Sequence, residues 1–153
     1  MTDRMIFLST DHPYMRFPGA DISRAVKTIC KEEGKKFPAL AVICTNDRFM
    51  RKINKEFLSH DSSTDVVAFP LDKDGGVEAE IYINLDAARN QAKTYHVPYT
   101  QEARRLLIHG ALHFIGYDDK TQRKKNTMRK REEYYLALLE RKARMKYSCK
   151  NGL

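Results

Sequence analysis

The sequence has little of what staples or anchors a chain. It holds three cysteines, Cys30, Cys44 and Cys149, an odd number with no CxxC spacing. That argues against a disulfide framework or a thiolate zinc site and fits reduced thiols in the cytoplasm. No apolar run approaches the roughly 20 residues that cross a bilayer, so no membrane partner is expected. The apolar patch at 5–8 is too short for the core of a secretory signal, and nothing suggests export. There is no internal repeat, no low-complexity tract and no shift in composition that would mark a second domain. With 153 residues, a single domain over 1–153 with a real core is the expectation.

Acidic residues are scarce in one place only. Residues 120–153 carry twelve Lys+Arg against three Asp+Glu, while residues 1–119 carry sixteen against seventeen. The whole net charge of +8 therefore comes from the C-terminal segment. A concentrated basic face suits a polyanion such as RNA or DNA; a solvated helix face is the plain alternative.

Hydrophobic periodicity divides the chain into nine elements. Strands are expected at 5–9, 39–45, 64–71 and 78–84. The second has β-branched content, and in the fourth Ile81 and Ile83 alternate with Glu80 and Tyr82. Asp74-Gly75-Gly76 marks a hairpin between the last two. Helices are expected from Asp21 as cap to Glu33, ended by Gly34, and from Asn46 as cap through 47–57, with Phe49, Met50, Ile53 and Phe57 inward. Further helices are expected at 85–96, from Thr100 as cap after Pro98, and as a long basic helix at about 120–147. Met128, Tyr135, Leu136 and Leu139 form the apolar stripe of that last helix. The order β-α-β-α-β-β-α-α-α predicts an α+β fold, one mixed sheet of about four strands packed with about five helices.

The segment His109-Gly110-Ala111-Leu112-His113-Phe114-Ile115-Gly116-Tyr117-Asp118-Asp119 carries the chemistry. Two histidines four apart on a helix project from one face. Gly116 stops the helix, and the chain can fold back to bring an acidic side chain to the same ion. Three ligands and an open position are what a hydrolytic metal requires. Leu106, Leu107, Ile108, Leu112, Phe114 and Ile115 would bury this helix, and buried imidazoles need partners. Two satisfied core histidines would meet that need as well. The same skeleton underlies metzincin proteases, but there a Glu after the first His acts as general base. Gly110 stands in that place; it leaves space beside the ion and removes the base, which argues against peptide hydrolysis.

With these residues in view, the chain resembles the YbeY family of bacterial metal-dependent endoribonucleases. His109, Gly110, Leu112, His113, Gly116, Tyr117 and Asp118 match its His-Gly-x-Leu-His-x-x-Gly-Tyr-Asp-His segment. Asn54-Lys55-Glu56-Phe57, Thr64-Asp65-Val66-Val67-Ala68-Phe69-Pro70 and Glu80-Ile81-Tyr82-Ile83 match upstream blocks, with Ala79 in place of a glycine. Met128 with Glu132 or Glu133 falls where the family has a Met-x3/4-Glu helix. The resemblance implies a single-strand-specific ribonuclease acting in 16S ribosomal RNA 3′-end maturation and ribosome quality control. It implies one divalent ion, zinc by expectation, held by His109, His113 and Asp119, through which these residues would be catalytic. It also implies ribosomal RNA or the small ribosomal subunit as partner. Asp118 precedes the ligand in that pattern.

Two positions depart from the pattern. Asp119 replaces a third histidine; a carboxylate is an acceptable zinc ligand but makes bound water less acidic. Leu58 stands where the family has an arginine suited to charge on a phosphoryl group. Arg51, Lys55 and His60 lie nearby in sequence, and His60 reads as a surface or structural residue. Arg123, Lys124, Lys125, Arg129 and Lys130 are the expected RNA contacts. Two rival functions are a ribosome-associated RNA binder with a structural metal and, less favoured, a metalloprotease-like hydrolase.

Overall fold

Alternation of buried and half-buried residues builds the sheet. In β2 (Leu40–Thr45) the side chains of Leu40, Val42 and Cys44 are buried, and in β4 (Ala79–Asn84) those of Ala79, Ile81 and Ile83 are. These two strands pair in parallel with Val42 opposite Ile81, so their apolar residues share one face. The computed structural model describes residues 6–13, 15–35, 39–57, 64–71 and 79–150. β1 (Ile6–Thr10) pairs in parallel with the outer side of β2, and β3 (Val66–Pro70) pairs antiparallel with β4. The sheet order is β1-β2-β4-β3, which leaves β1 and β3 at the edges.

Five helices complete the order expected: α1 (Gly19–Glu33), α2 (Asp47–Phe57), α3 (Leu85–Tyr95), α4 (Tyr99–Phe114) and α5 (Gln122–Lys150). α4 is the hub and touches α1, α3, α5, β3 and β4. Its Leu106, Leu107, Ile108 and Leu112 join Ile29 of α1, Ile81 of β4 and Tyr135 of α5 in one buried core. α2 packs on the opposite face of the sheet, where Phe49 meets the ring of Tyr82; Tyr82 alternates with Ile81 and Ile83 and so points away from that core.

The helix starts differ from expectation in two places. α1 begins at Gly19, and the Pro18 carbonyl, not Asp21, accepts the first N–H groups, those of Asp21 and Ile22. Asp21 sits in the first turn, near Arg24 and Arg104. α4 likewise follows Pro98, whose carbonyl accepts from Gln101 and Glu102, so Thr100 is a helical residue and not a cap. In both cases a proline of extended backbone supplies the entry, and a side-chain cap is not needed. Asn46 does cap α2, accepting from the Phe49 N–H at 2.9 Å. Phe57 is not inward: it lies on the same stripe as Met50, Ile53 and Asn54, but it is the last residue of α2 and is 69% exposed, with its ring against Phe69. Gly34 ends α1 at φ 63°, as expected for a left-handed cap. The hairpin turn at 74–76 lies outside the described residues.

Candidate metal centre

The packing of α4 decides where its histidines go. With Leu106, Leu107, Ile108 and Leu112 committed to the core, His109 and His113 face β3, with 22% and 32% of their side chains exposed. Their Nε2 atoms lie 3.0 Å apart. Gly110 sits between them for a packing reason: a Cβ there would lie 3.0 Å from Ile81 Cγ2 and 3.1 Å from Val66 Cγ2. The space expected beside the ion is thus filled by the sheet, and α4 approaches it closely only because residue 110 has no side chain. A glutamate at this position would have to displace the Ile81 and Val66 side chains, and with glycine there the zincin base is absent.

α4 then ends in a Schellman motif. Gly116 adopts φ 113°; its N–H donates to the His113 carbonyl, and the Tyr117 N–H donates to the Leu112 carbonyl. This reversal carries the chain back across the histidines. Asp119 arrives with Oδ2 3.9 Å from His109 Nε2 and Oδ1 3.8 Å from His113 Nε2. Asp118 turns the other way. It accepts from Lys124 Nζ at 2.9 Å and from the Lys120 N–H at 3.1 Å, and these hydrogen bonds hold its carboxyl below the usual range. The turn is tied down by Tyr117, whose hydroxyl donates to Glu33 Oε1 at 3.0 Å. Arg131 of α5 donates to the same oxygen at 3.0 Å.

A residue whose part was not read from the sequence stands behind His109. Glu132 of α5 is buried, with Oε1 2.6 Å from His109 Nδ1. A carboxylate there receives the Nδ1 proton and leaves the Nε2 lone pair directed at His113 and Asp119. The signal was present: Glu132 falls at helical spacing within the stripe Met128, Tyr135, Leu139, where an acidic side chain is out of place unless partnered. Arg105 Nη1 lies 3.6 Å from the same Glu132 oxygen, while its Nε donates to both oxygens of buried Glu102. Burial opposes the charge on Arg105, yet these carboxylates raise its pKa further. Gln91 extends the chain of contacts, accepting from Arg105 and donating to Asp65 Oδ2 at 3.2 Å.

The donor set fits a divalent ion. His109, His113 and Asp119 offer ligand atoms within 4.8 Å of one another. Two nitrogens bound tetrahedrally at about 2.0–2.1 Å would sit about 3.3 Å apart, close to the spacing found. Glu102 and Glu132 lie on Arg105, with Asp65 acting on it at longer range, and Asp119 faces the two imidazoles, so carboxylates outnumber guanidinium groups here, which suits a divalent cation. Among the described residues no fourth His, Cys, Asp or Glu joins the group. The site opens into a cleft of about 690 Å³ between β3 and α4, lined by Asp65, Ala68, Pro70 and Phe114 beside the three donors.

The remaining histidines and cations stand elsewhere. His12 pairs with Asp86 at 2.8 Å, and His96 is the left-handed C-cap of α3. Leu58 and His60 lie outside the described residues. Arg51 and Lys55 are exposed on α2, and neither lines the cleft. Arg123, Lys124, Lys125, Arg129 and Lys130 are all exposed on the first turns of α5 after Asp119, and none lines the cleft; Lys124 pairs with Asp118.

Comparison with known proteins decides the family. The model for endoribonuclease YbeY matches residues 13–140. The chain belongs to the YbeY endoribonuclease family. An endoribonuclease YbeY of Chlorobium phaeovibrioides is 39% identical over 122 residues, covering 80% of this chain and 82% of that protein. One of Chlorobaculum parvum is 37% identical over 115 residues, covering 75% and 82%. A Thermotoga maritima protein solved in solution shares the fold, with a TM-score of 0.65 at 23% identity over 93% of both chains. Asp119, which by the resemblance stands where the family pattern has a histidine, lies with His109 and His113. No described helix is long and apolar enough to cross a membrane.

Proposed function

We propose that this chain is a metal-dependent endoribonuclease that cleaves single-stranded RNA, with ribosomal RNA, at the 3′ end of 16S RNA, as its substrate and ribosome quality control as its setting. The convergence of His109 Nε2, His113 Nε2 and an Asp119 oxygen at the head of an open cleft carries this reading. Names of relatives at 33–39% identity supply the reaction class. His109, His113 and Asp119 hold the ion, with zinc as the expected metal, and Glu132 fixes the His109 tautomer. When bound, such an ion polarises a phosphate oxygen or lowers the pKa of a water. Three protein donors among the described residues, one fewer than a structural zinc site uses, favour the enzyme over an RNA binder with a structural metal. Gly110 disfavours the protease. Arg123, Lys124, Lys125, Arg129 and Lys130 supply phosphate contacts that hold the strand beside the cleft.

The test is cleavage of single-stranded and duplex RNA of equal length by the purified protein, with metal, with chelator and after metal is restored. Metal-dependent cleavage of the single strand alone supports the reading. A 2′,3′-cyclic phosphate end would show attack by the neighbouring 2′-OH, and a terminal monophosphate formed with solvent oxygen attack by water. Robust peptide hydrolysis without RNA cleavage would overturn the reading.

A further inference from the structure

Along α4, Glu102, Arg105, His109 and His113 stand three, four and four residues apart, so they share one face of the helix. The two histidines are metal donors. The first two residues form an ion pair that holding the ion does not itself require. Glu102 is 2% exposed, and both its oxygens accept from Arg105 Nε, at 3.0 and 3.1 Å. Such a pair adds little to stability by its presence, since apolar side chains of the same volume often do as well.

The geometry of the pair gives it another use. A guanidinium is a rigid planar fork, so anchoring one edge fixes the direction of the rest. Arg105 is anchored through Nε and Nη2, both of which donate to Glu102; Nη2 also donates to Gln91 Oε1 at 3.4 Å. Gln91 in turn donates to Asp65 Oδ2 at 3.2 Å, which ties the fork to the wall of the cleft. The remaining nitrogen, Nη1, faces Glu132 Oε1 at 3.6 Å. That spacing is an ion pair and not a hydrogen bond, so it leaves the same oxygen its short contact with His109 Nδ1, 2.6 Å. Glu132 comes from a different helix, α5, and only 6% of its side chain is exposed. Water therefore does little to hold it, and its placement falls to the charged groups of α4.

We propose that Arg105 is a positioning residue for the metal centre: held by Glu102 and Gln91, it fixes the Glu132 carboxylate against His109 Nδ1 and so aims His109 Nε2 at the ion shared with His113 and Asp119. This inference rests on reading those three residues as metal ligands.

The test measures zinc affinity without RNA, by competition against a chromophoric chelator, with folding checked by circular dichroism. Arg105→Lys keeps the charge but has no planar fork to span Glu102 and Glu132. The pair Glu102→Gln with Arg105→Met removes the fork without leaving Glu102 as an unpaired buried charge. Each variant should bind zinc about 3- to 10-fold more weakly, short of the full range of about 10- to 100-fold for a direct outer-shell partner. In a Glu132→Gln background the same substitutions should cost no more than about twofold, because the carboxylate they act through is gone. Unchanged affinity in folded Arg105→Lys, or equal losses in both backgrounds, would overturn the proposal. If the paired variant does not fold, Arg105→Lys decides alone.

A second readout needs no metal. Long-range 1H–15N spectra of the His109 ring, at a pH where it is neutral, should show the proton on Nδ1 in the wild type and a mixture of tautomers in Arg105→Lys. A lower melting temperature with zinc affinity and the His109 spectrum both unchanged would assign Arg105 to stability alone. Absence of zinc binding by the folded wild type would remove the metal reading, while the His109 spectrum would still decide whether Arg105 holds Glu132 in place.

Discussion

Replacing Glu132 by glutamine isolates the contribution of the carboxylate behind the metal centre. The wild-type contact is 2.6 Å from Oε1 to His109 Nδ1, and Glu132 is buried. Glutamine keeps the shape and can still accept from Nδ1–H, but it removes the negative charge that makes the imidazole a stronger donor. It also leaves Arg105 with Glu102 as its close carboxylate partner. Outer-shell partners of ligating histidines are worth about 10- to 100-fold in metal affinity, or about 1.4–2.8 kcal/mol at about 1.4 kcal/mol per decade. Competition against a chromophoric chelator, at neutral pH and with folding checked by circular dichroism, measures the change. A drop in that range is expected for Glu132→Gln in the wild-type background and a much smaller further drop in His109→Ala, where the ligand it orients is gone. Unchanged affinity in folded Glu132→Gln, or an equal drop in both backgrounds, would refute the argument.

Gly110→Ala should lower thermal stability despite the helix propensity gained, up to ~1 kcal/mol, because the added Cβ meets Ile81 and Val66 at 3.0 and 3.1 Å and overpacking costs about 1–3 kcal/mol; a melt of Gly110→Ala with Val66→Ala should recover part of the loss. Burial pushes the Glu33 carboxyl up, but hydrogen bonds from Arg131, Tyr135 and Tyr117 more than reverse this and hold it below its ordinary 4.5. Its stabilisation is therefore present above that value and lost as pH falls through the lower folded pKa. The stability gap between wild type and Glu33→Gln, measured by urea melts, should be widest near neutrality and close in acid. Replacing Arg123, Lys124 and Lys125 together by glutamine should flatten the salt dependence of RNA binding by about 0.7 in log–log slope for each phosphate no longer neutralised; an unchanged slope would mark these residues as a solvated face.

Much of this was legible because local rules and tertiary packing agree. The alternation in Glu80-Ile81-Tyr82-Ile83 placed β4, and the four-residue spacing of His109 and His113 placed two nitrogens on one face. Gly116 announced the turn that returns the chain. The choice between Asp118 and Asp119 was not readable from spacing. It depends on the Schellman geometry and on Lys124 capturing Asp118, which are set by where α5 begins. The caps at Asp21 and Thr100 were misread because proline carbonyls, not side chains, receive the first helical N–H groups. Phe57 has the spacing of the buried stripe Met50, Ile53 and Asn54, but it is the last residue of α2 and stays 69% exposed, which periodicity alone does not reveal. Glu132 shows the opposite case: a charged residue within an apolar stripe was a readable sign of a buried partner, but only the fold shows that the partner is His109.

The most direct test of the central claim is cleavage of single-stranded RNA by metal-loaded protein beside His113→Ala, each with its metal content determined. The wild type should carry one divalent ion and cut the strand slowly, stop in chelator and resume when metal returns, while His113→Ala should neither hold the ion nor cut. Full metal in His113→Ala, or cleavage that survives both the chelator and the substitution, would contradict the account.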